Sequence, residues 1–214
     1  MSYFFDPSNS LAIYDSPKSG GEATRTWAYY VGTEELKASE DAEFYIGEGK
    51  VSHTLVDWGY HLGKFNTDPK AVNRIVVKRN PYERFISTFY EYRIRKNYIN
   101  TDIDTFLTNF DEVISKSEHK TFNNKNLLEI VFATQTFHVG DNPRYYECVV
   151  DYRSLRKAQA YIERVWNVGL PDVQLPNTGQ PCQFTGRICE FELTTRQKNQ
   201  VKDIYAEDFE NGWA

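Results

Sequence analysis

Two kinds of hydrophobic pattern alternate along the chain. Short apolar runs are typical of buried strands, and longer segments with apolar residues three or four positions apart are typical of helices. The short runs predict strands at 11–14, near 43–46, at 74–78 and near 147–150. The longer segments predict helices at 21–32, 54–62, 81–97, 102–110, 124–133, 153–167 and 194–208. This alternation predicts an α/β fold with a central parallel sheet flanked by helices.

The length of the chain is that of one domain. A chain of 214 residues buries roughly 70% of the surface that it exposes when unfolded, so we expect a single domain over residues 1–214. The segment from Gly169 to Arg187 is rich in Pro, Gly and Asn, which predicts a loop. At 19 residues, this loop is long enough to have a function, such as closing over a bound nucleotide.

The segment after the first predicted strand has the features of a phosphate-binding loop. It reads Pro17-Lys18-Ser19-Gly20-Gly21 and precedes a predicted helix. Two glycines let backbone N–H groups converge on one anion, the helix N-terminus adds partial positive charge, and Lys18 brings a full charge. An ordinary polar turn is equally compatible with these residues. The order of glycines and lysine differs from the Gly-x-x-x-x-Gly-Lys-Ser/Thr loop, which disfavours an ordinary ATPase or GTPase.

A second motif joins the strand predicted at 74–78 to the helix predicted at 81–97. The β-branched run Ile75–Val77 is typical of a buried parallel strand, and Pro81 suits the first turn of a helix. Arg79 therefore lies at the carboxyl end of the strand. Ser87 follows eight positions later, so its side chain returns to the helix face near Arg79. A guanidinium and a hydroxyl suit a terminal phosphate, although Arg79 could instead pair with a carboxylate.

These two motifs, in this order, resemble those of the sulfotransferases that use 3′-phosphoadenosine 5′-phosphosulfate (PAPS). The first resembles the loop that holds the 5′-phosphosulfate, and Arg79-Asn80-Pro81 with Ser87 resembles the residues that hold the 3′-phosphate. The stretch Tyr82-Glu83-Arg84-Phe85 is similar to the carbohydrate, membrane-type branch of that superfamily. Weaker similarities to this branch follow in order at 133–136, 149–155, 175–178 and 204–209.

The resemblance implies a P-loop-like three-layer fold and transfer of a sulfuryl group from PAPS, without a metal, to a hydroxyl of a carbohydrate or small molecule. It implies that PAPS is held by Arg79, Ser87 and the loop residues Pro17, Lys18, Ser19, Gly20, Gly21, Glu22, Ala23 and Thr24. Many members of the family have a hydroxyl residue where this chain has Glu22. A carboxylate about 4 Å from a phosphate is repelled by roughly 4 kcal/mol at an effective dielectric near 20, so Glu22 must point away or pair with a cation such as Arg25. Thr24 could supply the hydroxyl from a shifted loop.

Sulfuryl transfer requires a cation at the leaving-group oxygen and a base at the acceptor. Lys18 is the expected cation. His53 lies between the two motifs and resembles the position where cytosolic sulfotransferases carry their base, so it is the first candidate. His61 is the second, and a carboxylate is also compatible with the carbohydrate branch. A role for His53 as a capping residue in a turn has similar weight.

Charge and composition limit the kinds of binding partner and the cellular location that we expect. A net charge of −5 gives no global attraction to nucleic acid or to an anionic membrane, so the polyanionic cosubstrate must be met by local cations. These are Lys18, Arg79 and, less clearly, Arg84. Three cysteines without CxxC spacing disfavour a zinc site or a disulfide framework. Residues 1–10 lack signal-peptide features and no apolar run would span a membrane, so we expect a cytoplasmic protein of bacterial or viral origin, with a truncated ectodomain as the alternative.

Two other functions remain compatible with the sequence. A non-catalytic relative could keep the PAPS site after losing transfer; Glu22 favours this interpretation and Lys18 disfavours it. A small-molecule kinase would share a phosphate loop and a parallel sheet, but it needs an acidic magnesium ligand at a strand end, which we do not find in the sequence. No motif specifies the acceptor or the oligomeric state.

Overall fold

The computed structural model describes residues 2–6, 10–19, 27, 72–121, 124–167, 169–170 and 192–214, and the structural statements below refer to these residues. The predicted strand near 43–46, the predicted helix at 54–62 and most of the predicted loop lie outside them. Of the helix predicted at 21–32, only Trp27 is described; it is helical and fully buried.

The described residues form four strands, eight α-helices, one π-helix and two 3₁₀ turns. In chain order they are β1 (Ser2–Asp6), β2 (Leu11–Asp15), β3 (Asn73–Lys78), α1 (Pro81–Tyr90), a π-helix (Glu91–Arg95), α2 (Ile103–Thr108), α3 (Phe110–Ser115), α4 (Leu127–Phe132), α5 (Gln135–Val139), a 3₁₀ turn (Pro143–Tyr145), β4 (Cys148–Asp151), a second 3₁₀ turn (Tyr152–Ser154), α6 (Leu155–Trp166), α7 (Thr195–Ile204) and α8 (Ala206–Glu210). None of these helices is long and apolar enough to cross a bilayer.

Most predicted elements within the described residues are confirmed, with changes at their ends. The strands predicted at 11–14, 74–78 and 147–150 are β2, β3 and β4. The helix predicted at 81–97 is α-helical only to Tyr90, after which it continues as the π-helix. The helices predicted at 102–110 and 194–208 are interrupted at Asn109 and Tyr205. The strand β1 and the helix α5 were not predicted.

The four strands lie side by side in chain order. β2, β3 and β4 are parallel, and their register pairs Ile13 with Ile75 and Val77 with Val150. β1 is antiparallel to β2 at one edge. The predicted α/β class is confirmed at this level: the fold mixes helices and strands, and three parallel strands form a small open sheet flanked by helices.

Both faces of β2 and β3 are buried. On one face, Ile13, Ile75 and Val77 pack against the apolar side of α6, which includes Ile162 and Trp166. On the other face, side chains of β2 and β3 pack with the residues Val139, Tyr146 and Trp213. Because neither face of these two strands meets water, they have continuous apolar runs instead of alternating polar and apolar residues. The last strand of the sheet, β4, has one exposed face, on which Val149 lies.

A second core lies among the helices. Aromatic rings from α1, α2 and α4 meet there: the Phe106 ring centroid is 5.2 Å from that of Phe89 and 5.2 Å from that of Phe132. Phe85 and Phe89, on the inward face of the helix after Arg79, are fully buried. This core fixes α1 firmly, and α1 carries several of the candidate site residues.

The starts of the helices follow from local sequence. Asn80 caps α1, because its Oδ1 accepts the backbone N–H of Tyr82 at 3.0 Å, and Pro81 occupies the first helical position. Thr194 and Gln197 form a reciprocal capping box at the start of α7. Each of these caps defines the residue at which its helix begins. The helix α1 therefore begins at Pro81, two positions after Arg79.

Arg84 has a structural role. Its side chain is 0% exposed and lies 3.8 Å from Asp208 Oδ2, which is also 0% exposed. Its Nη2 also donates to the carbonyl of Ala133, and its guanidinium lies over the ring of Tyr205. Arg84, the least clear of the three cations expected to meet the cosubstrate, is therefore engaged in an internal ion pair.

The buried imidazole of His138 predicts a dependence of stability on pH. Its Nε2 lies 2.9 Å from the carbonyl oxygen of Ile130, to which the neutral ring can donate. Burial, with a smaller effect of the Arg84 charge, lowers the pKa of His138 to about 4. The unfolded chain has a histidine pKa near 6.5 and binds the proton first, so His138 contributes stability above about pH 6.5 that is lost as the pH falls toward 4.

We therefore expect His138→Gln to flatten the acid side of the stability profile. Between pH 7.5 and 4.5, the free energy of unfolding of the wild type should fall by about 2–3 kcal/mol more than that of the variant. Urea unfolding of both proteins at several pH values measures this difference. Parallel profiles would contradict the buried, neutral state of His138.

Candidate functional site

The carboxyl ends of the three parallel strands lie at one edge of the sheet, and polar residues follow each of them. β2 leads into the turn Ser16–Ser19, β3 into Arg79 and β4 into Tyr152. Ligands of open α/β sheets bind outside this edge. We call the set of residues around it the strand-end cluster; its members are Ser16, Pro17, Lys18, Ser19, Arg79, Glu83, Ser87, Glu91, Gln135 and Tyr152.

The turn after β2 has the pattern of a type II turn. The Ser19 backbone N–H donates to the carbonyl of Ser16 at 3.2 Å, with Pro17 at the second position and Lys18 at the third. Lys18 has φ +65°, a left-handed conformation that costs a non-glycine residue about 1 kcal/mol. The Ser16 hydroxyl donates to the Ser19 hydroxyl at 2.8 Å, and both serines are buried. The buried hydrogen bond between these two hydroxyls thus holds the two ends of the turn together.

Gln135 connects this turn to the end of β3. Its side-chain amide is 1% exposed and pairs twice with the Arg79 backbone: Oε1 accepts the Arg79 N–H at 2.9 Å and Nε2 donates to the Arg79 carbonyl at 2.8 Å. The same Oε1 accepts the Ser19 hydroxyl at 3.2 Å. The Gln135 backbone N–H donates to Asp208, the buried partner of Arg84. One amide therefore sets the position of both predicted phosphate-binding motifs.

Arg79 is held between the ends of the three strands. Its Nη1 donates to the Lys18 carbonyl at 2.9 Å, and its guanidinium carbon lies 4.2 Å from the Tyr152 ring centroid. The residue is 9% exposed, and burial lowers its pKa, although an arginine remains charged at neutral pH. Its Nε is buried without a hydrogen-bond partner among the described residues; Glu83 Oε2 lies 4.0 Å away.

Lys18 points toward the helix after β3. Its ammonium forms an ion pair with the carboxylate of Glu91, the first residue of the π-helix. The side chains of Lys18 and Glu91 are 27% and 14% exposed, so the pair is largely shielded from water. Glu91 is not among the site residues predicted from the sequence.

Ser87 lies one turn before Glu91. Its backbone carbonyl accepts the N–H of Glu91, and its side chain is partly exposed. Residues four positions apart on a helix are neighbours, so Ser87 lies between Glu83 and Glu91 along one ridge of α1. Both neighbours contact cations of the strand-end cluster: Glu83 approaches Arg79, and Glu91 binds Lys18.

The structure therefore brings together four of the predicted site residues. Lys18, Ser19 and Arg79 are joined by direct contacts or through Gln135, and Ser87 lies on the same ridge as the partners of Lys18 and Arg79. Pro17 is part of the turn. The remaining predicted residues lie outside the described residues, so their roles stay predictions: Gly20, Gly21, Glu22, Ala23, Thr24, His53 and the alternative base His61.

Several members of the cluster are not among the site residues predicted from the sequence, and three of them hold the predicted ones in place. Glu91 follows Ser87 at a four-residue spacing, a signal that helical periodicity alone could have supplied. Tyr152 directly follows a predicted strand, but its contact with Arg79 depends on the neighbouring strand. Gln135 lies in 133–136, one of the stretches of weaker similarity, and the structure gives it a pair of hydrogen bonds to a backbone far away in sequence. Within the described residues, no group of three or more potential metal ligands occurs.

A separate groove lies in the helical part of the fold. It has a volume of about 550 Å³, and its walls include Tyr98, Thr101, Glu112 and His119. The Tyr98 and His119 rings are stacked with centroids 3.6 Å apart. None of the predicted PAPS-binding residues that the structure describes lines this groove, and no member of the strand-end cluster does.

The Gln135 amide predicts a large loss of stability for Gln135→Leu. The leucine would leave the buried backbone N–H and carbonyl of Arg79 without partners, which together cost about 3 kcal/mol in the free energy of unfolding. Gln159→Leu is the matched control, because the Gln159 amide donates to Glu163 on the partly exposed side of α6; we expect a loss below about 1 kcal/mol. Urea unfolding measures both, and equal losses would contradict the bridging role of Gln135.

The left-handed backbone of Lys18 predicts an unusual order of stability among its variants. Lys18→Ala and Lys18→Gly both remove the ammonium, but only glycine adopts φ +65° without steric cost. We expect Lys18→Gly to be more stable than Lys18→Ala by about 1 kcal/mol. Chemical denaturation of the two variants under identical conditions tests this order, and a more stable alanine variant would contradict the turn geometry.

Comparison with known proteins does not extend this description. No protein-family model, no curated protein and no solved structure matches the chain at a significant level.

Proposed function

We propose that the protein is a PAPS-dependent sulfotransferase that transfers a sulfuryl group to a hydroxyl of a carbohydrate or small-molecule acceptor. The supporting observation is the hydrogen bond from Arg79 Nη1 to the Lys18 carbonyl, which joins the two motifs that resemble the PAPS-binding residues of that family. These motifs are about 60 positions apart in the sequence, and they meet at the edge of the sheet where ligands of α/β proteins bind.

The polar groups of the strand-end cluster fit a phosphorylated ligand. The buried Nε of Arg79 has no hydrogen-bond partner among the described residues, and an unpaired buried donor is costly. A phosphate oxygen would satisfy this donor with a charge-assisted bond. In the proposal, Arg79 and Ser87 hold the 3′-phosphate, and Lys18 lies at the phosphosulfate end.

The residues of the chain then have defined tasks. Bound PAPS supplies the activated sulfuryl group. Lys18 stabilises the negative charge that develops on the leaving oxygen, and the type II turn holds the Lys18 backbone in place before the ligand arrives. A preorganised donor of this kind typically contributes about 10²–10³-fold in rate. His53 remains the first candidate for the base that accepts the proton of the acceptor hydroxyl.

A second candidate function is binding of PAPS or its product without transfer. One observation favours it: the Lys18 ammonium is already engaged by Glu91, so in this arrangement it does not point freely toward a ligand. The two functions share the nucleotide site and differ in turnover. Release of adenosine 3′,5′-bisphosphate from PAPS in the presence of a panel of saccharides separates them.

Binding of adenosine 3′,5′-bisphosphate, the product nucleotide, tests the site itself. A ligand at about 100 times its dissociation constant adds roughly 2.7 kcal/mol to stability, which raises the unfolding midpoint of a chain of this size by about 5–10 °C. We expect this shift with the bisphosphate and a smaller one with ADP or with ATP and Mg²⁺. We expect Arg79→Ala to lose the ligand-induced shift, because it removes the guanidinium that contacts the 3′-phosphate.

Arg144→Ala is the matched control. Arg144 is exposed and precedes β4, so it lies near the amino ends of the parallel strands, opposite the strand-end cluster. Its removal should leave the bisphosphate-induced shift unchanged. Stabilisation by ATP and Mg²⁺ alone would favour a kinase, and no shift with any nucleotide would contradict the proposed site.

A further inference from the structure

The cations of the strand-end cluster have carboxylate partners within the protein. Lys18 pairs with Glu91, while Glu83 contacts Arg153 and lies 4.0 Å from Arg79. The two cations of the cluster, Lys18 and Arg79, and its two carboxylates, Glu83 and Glu91, thus have no net charge; Arg153, outside the cluster, adds one positive charge. A polyanionic ligand meets cations that are already partly neutralised.

The two carboxylates differ in how closely they bind their cations. Glu83 approaches Arg79 at 4.0 Å, beyond hydrogen-bond distance, and its other partner, Arg153, is largely exposed. Glu91 is less exposed than Glu83, and its carboxylate accepts a hydrogen bond from Lys18, a partly buried lysine on another segment of the chain. The Lys18–Glu91 pair is therefore the one that an incoming phosphosulfate must disturb.

The position of Glu91 in the helix also sets it apart. The α-helix that begins at Pro81 changes to a π-helix at this residue, and the Lys96 N–H donates to the Glu91 carbonyl at 3.0 Å, five positions back. Single π-helical turns are rare and occur frequently at functional sites. The wider turn begins at the residue that holds Lys18.

We propose that Glu91 is a positioning residue that holds Lys18 until the donor binds and competes with its phosphosulfate for the ammonium. This inference rests on the proposed function, since it assigns the regulation of the same site. Glu91 keeps the ammonium ordered beside the turn, and its carboxylate opposes anion binding by occupying that ammonium. Donor binding transfers the ammonium of Lys18 from the carboxylate to the phosphosulfate oxygens.

The inference predicts that removing the charge of Glu91 strengthens nucleotide binding. We expect Glu91→Gln to bind adenosine 3′,5′-bisphosphate about tenfold more tightly than the wild type by isothermal titration calorimetry, a typical size for coupling between two sites. A residue that merely supported the fold would weaken binding or leave it unchanged when replaced. Glu112→Gln is the matched control, because Glu112 forms an exposed ion pair with Lys116 on α3; its affinity should equal that of the wild type.

The same substitution, made in a protein that already carries Lys18→Ala, shows whether Glu91 acts through Lys18. In Lys18→Ala, the further change Glu91→Gln should alter the affinity by less than about threefold, because the competition for the ammonium is gone. An undiminished tenfold gain in this background would overturn the proposed competition in favour of simple repulsion.

The outcomes separate this inference from the proposed function. If the wild type binds the bisphosphate and Glu91→Gln binds it equally or more weakly, the site is supported and the role of Glu91 is overturned. If only Glu91→Gln binds, the role of Glu91 is supported and the proposed function is overturned, because the wild type does not hold the bisphosphate. If neither protein binds the bisphosphate, both are overturned, because freeing Lys18 has not created an anion site.

Discussion

The side-chain amide of Gln135 is the interaction on which the strand-end cluster depends. It pairs with both polar groups of the Arg79 backbone, as a neighbouring strand would, at the point where β3 ends and no strand continues. Buried backbone groups require partners, so this amide lets β3 end inside the protein without a penalty. Because its oxygen also accepts the Ser19 hydroxyl, the turn after β2 and the end of β3 are set by one side chain.

Gln135 is itself fixed by a buried charge. Asp208 accepts the backbone N–H groups of Gln135 and Thr136, and so caps the short helix α5, while it lies beside the buried guanidinium of Arg84. Replacing one partner of such a pair by an apolar residue leaves an uncompensated charge, which makes the pair costly to break even where its net contribution to stability is small. The C-terminal part of the chain thereby positions residues at the sheet edge, and α1 is locked between that contact and the aromatic core.

The two cations of the strand-end cluster are held in place by contacts within the protein, and two carboxylates neutralise their charge. Arg79 is pinned by the Lys18 carbonyl and the Tyr152 ring, so its position does not depend on a ligand. Lys18 has a rigid, left-handed backbone and a side chain engaged with Glu91. In the proposed function, the fixed guanidinium binds a phosphate that does not react, and the ammonium moves from Glu91 to the group that reacts.

The sequence by itself determined the strands β2, β3 and β4, the start of α1 and the nature of the residues at the strand ends, because β-branched runs and the cap Asn80-Pro81 act through local backbone preferences. It did not determine that Arg84 pairs with Asp208, that Glu91 binds Lys18, or that Gln135 completes β3. Each of these contacts joins segments more than 50 positions apart, so only the packing of the tertiary structure brings the partners together. The sequence supplied the cations of the candidate site, and the tertiary structure decided which anions and carbonyls hold them.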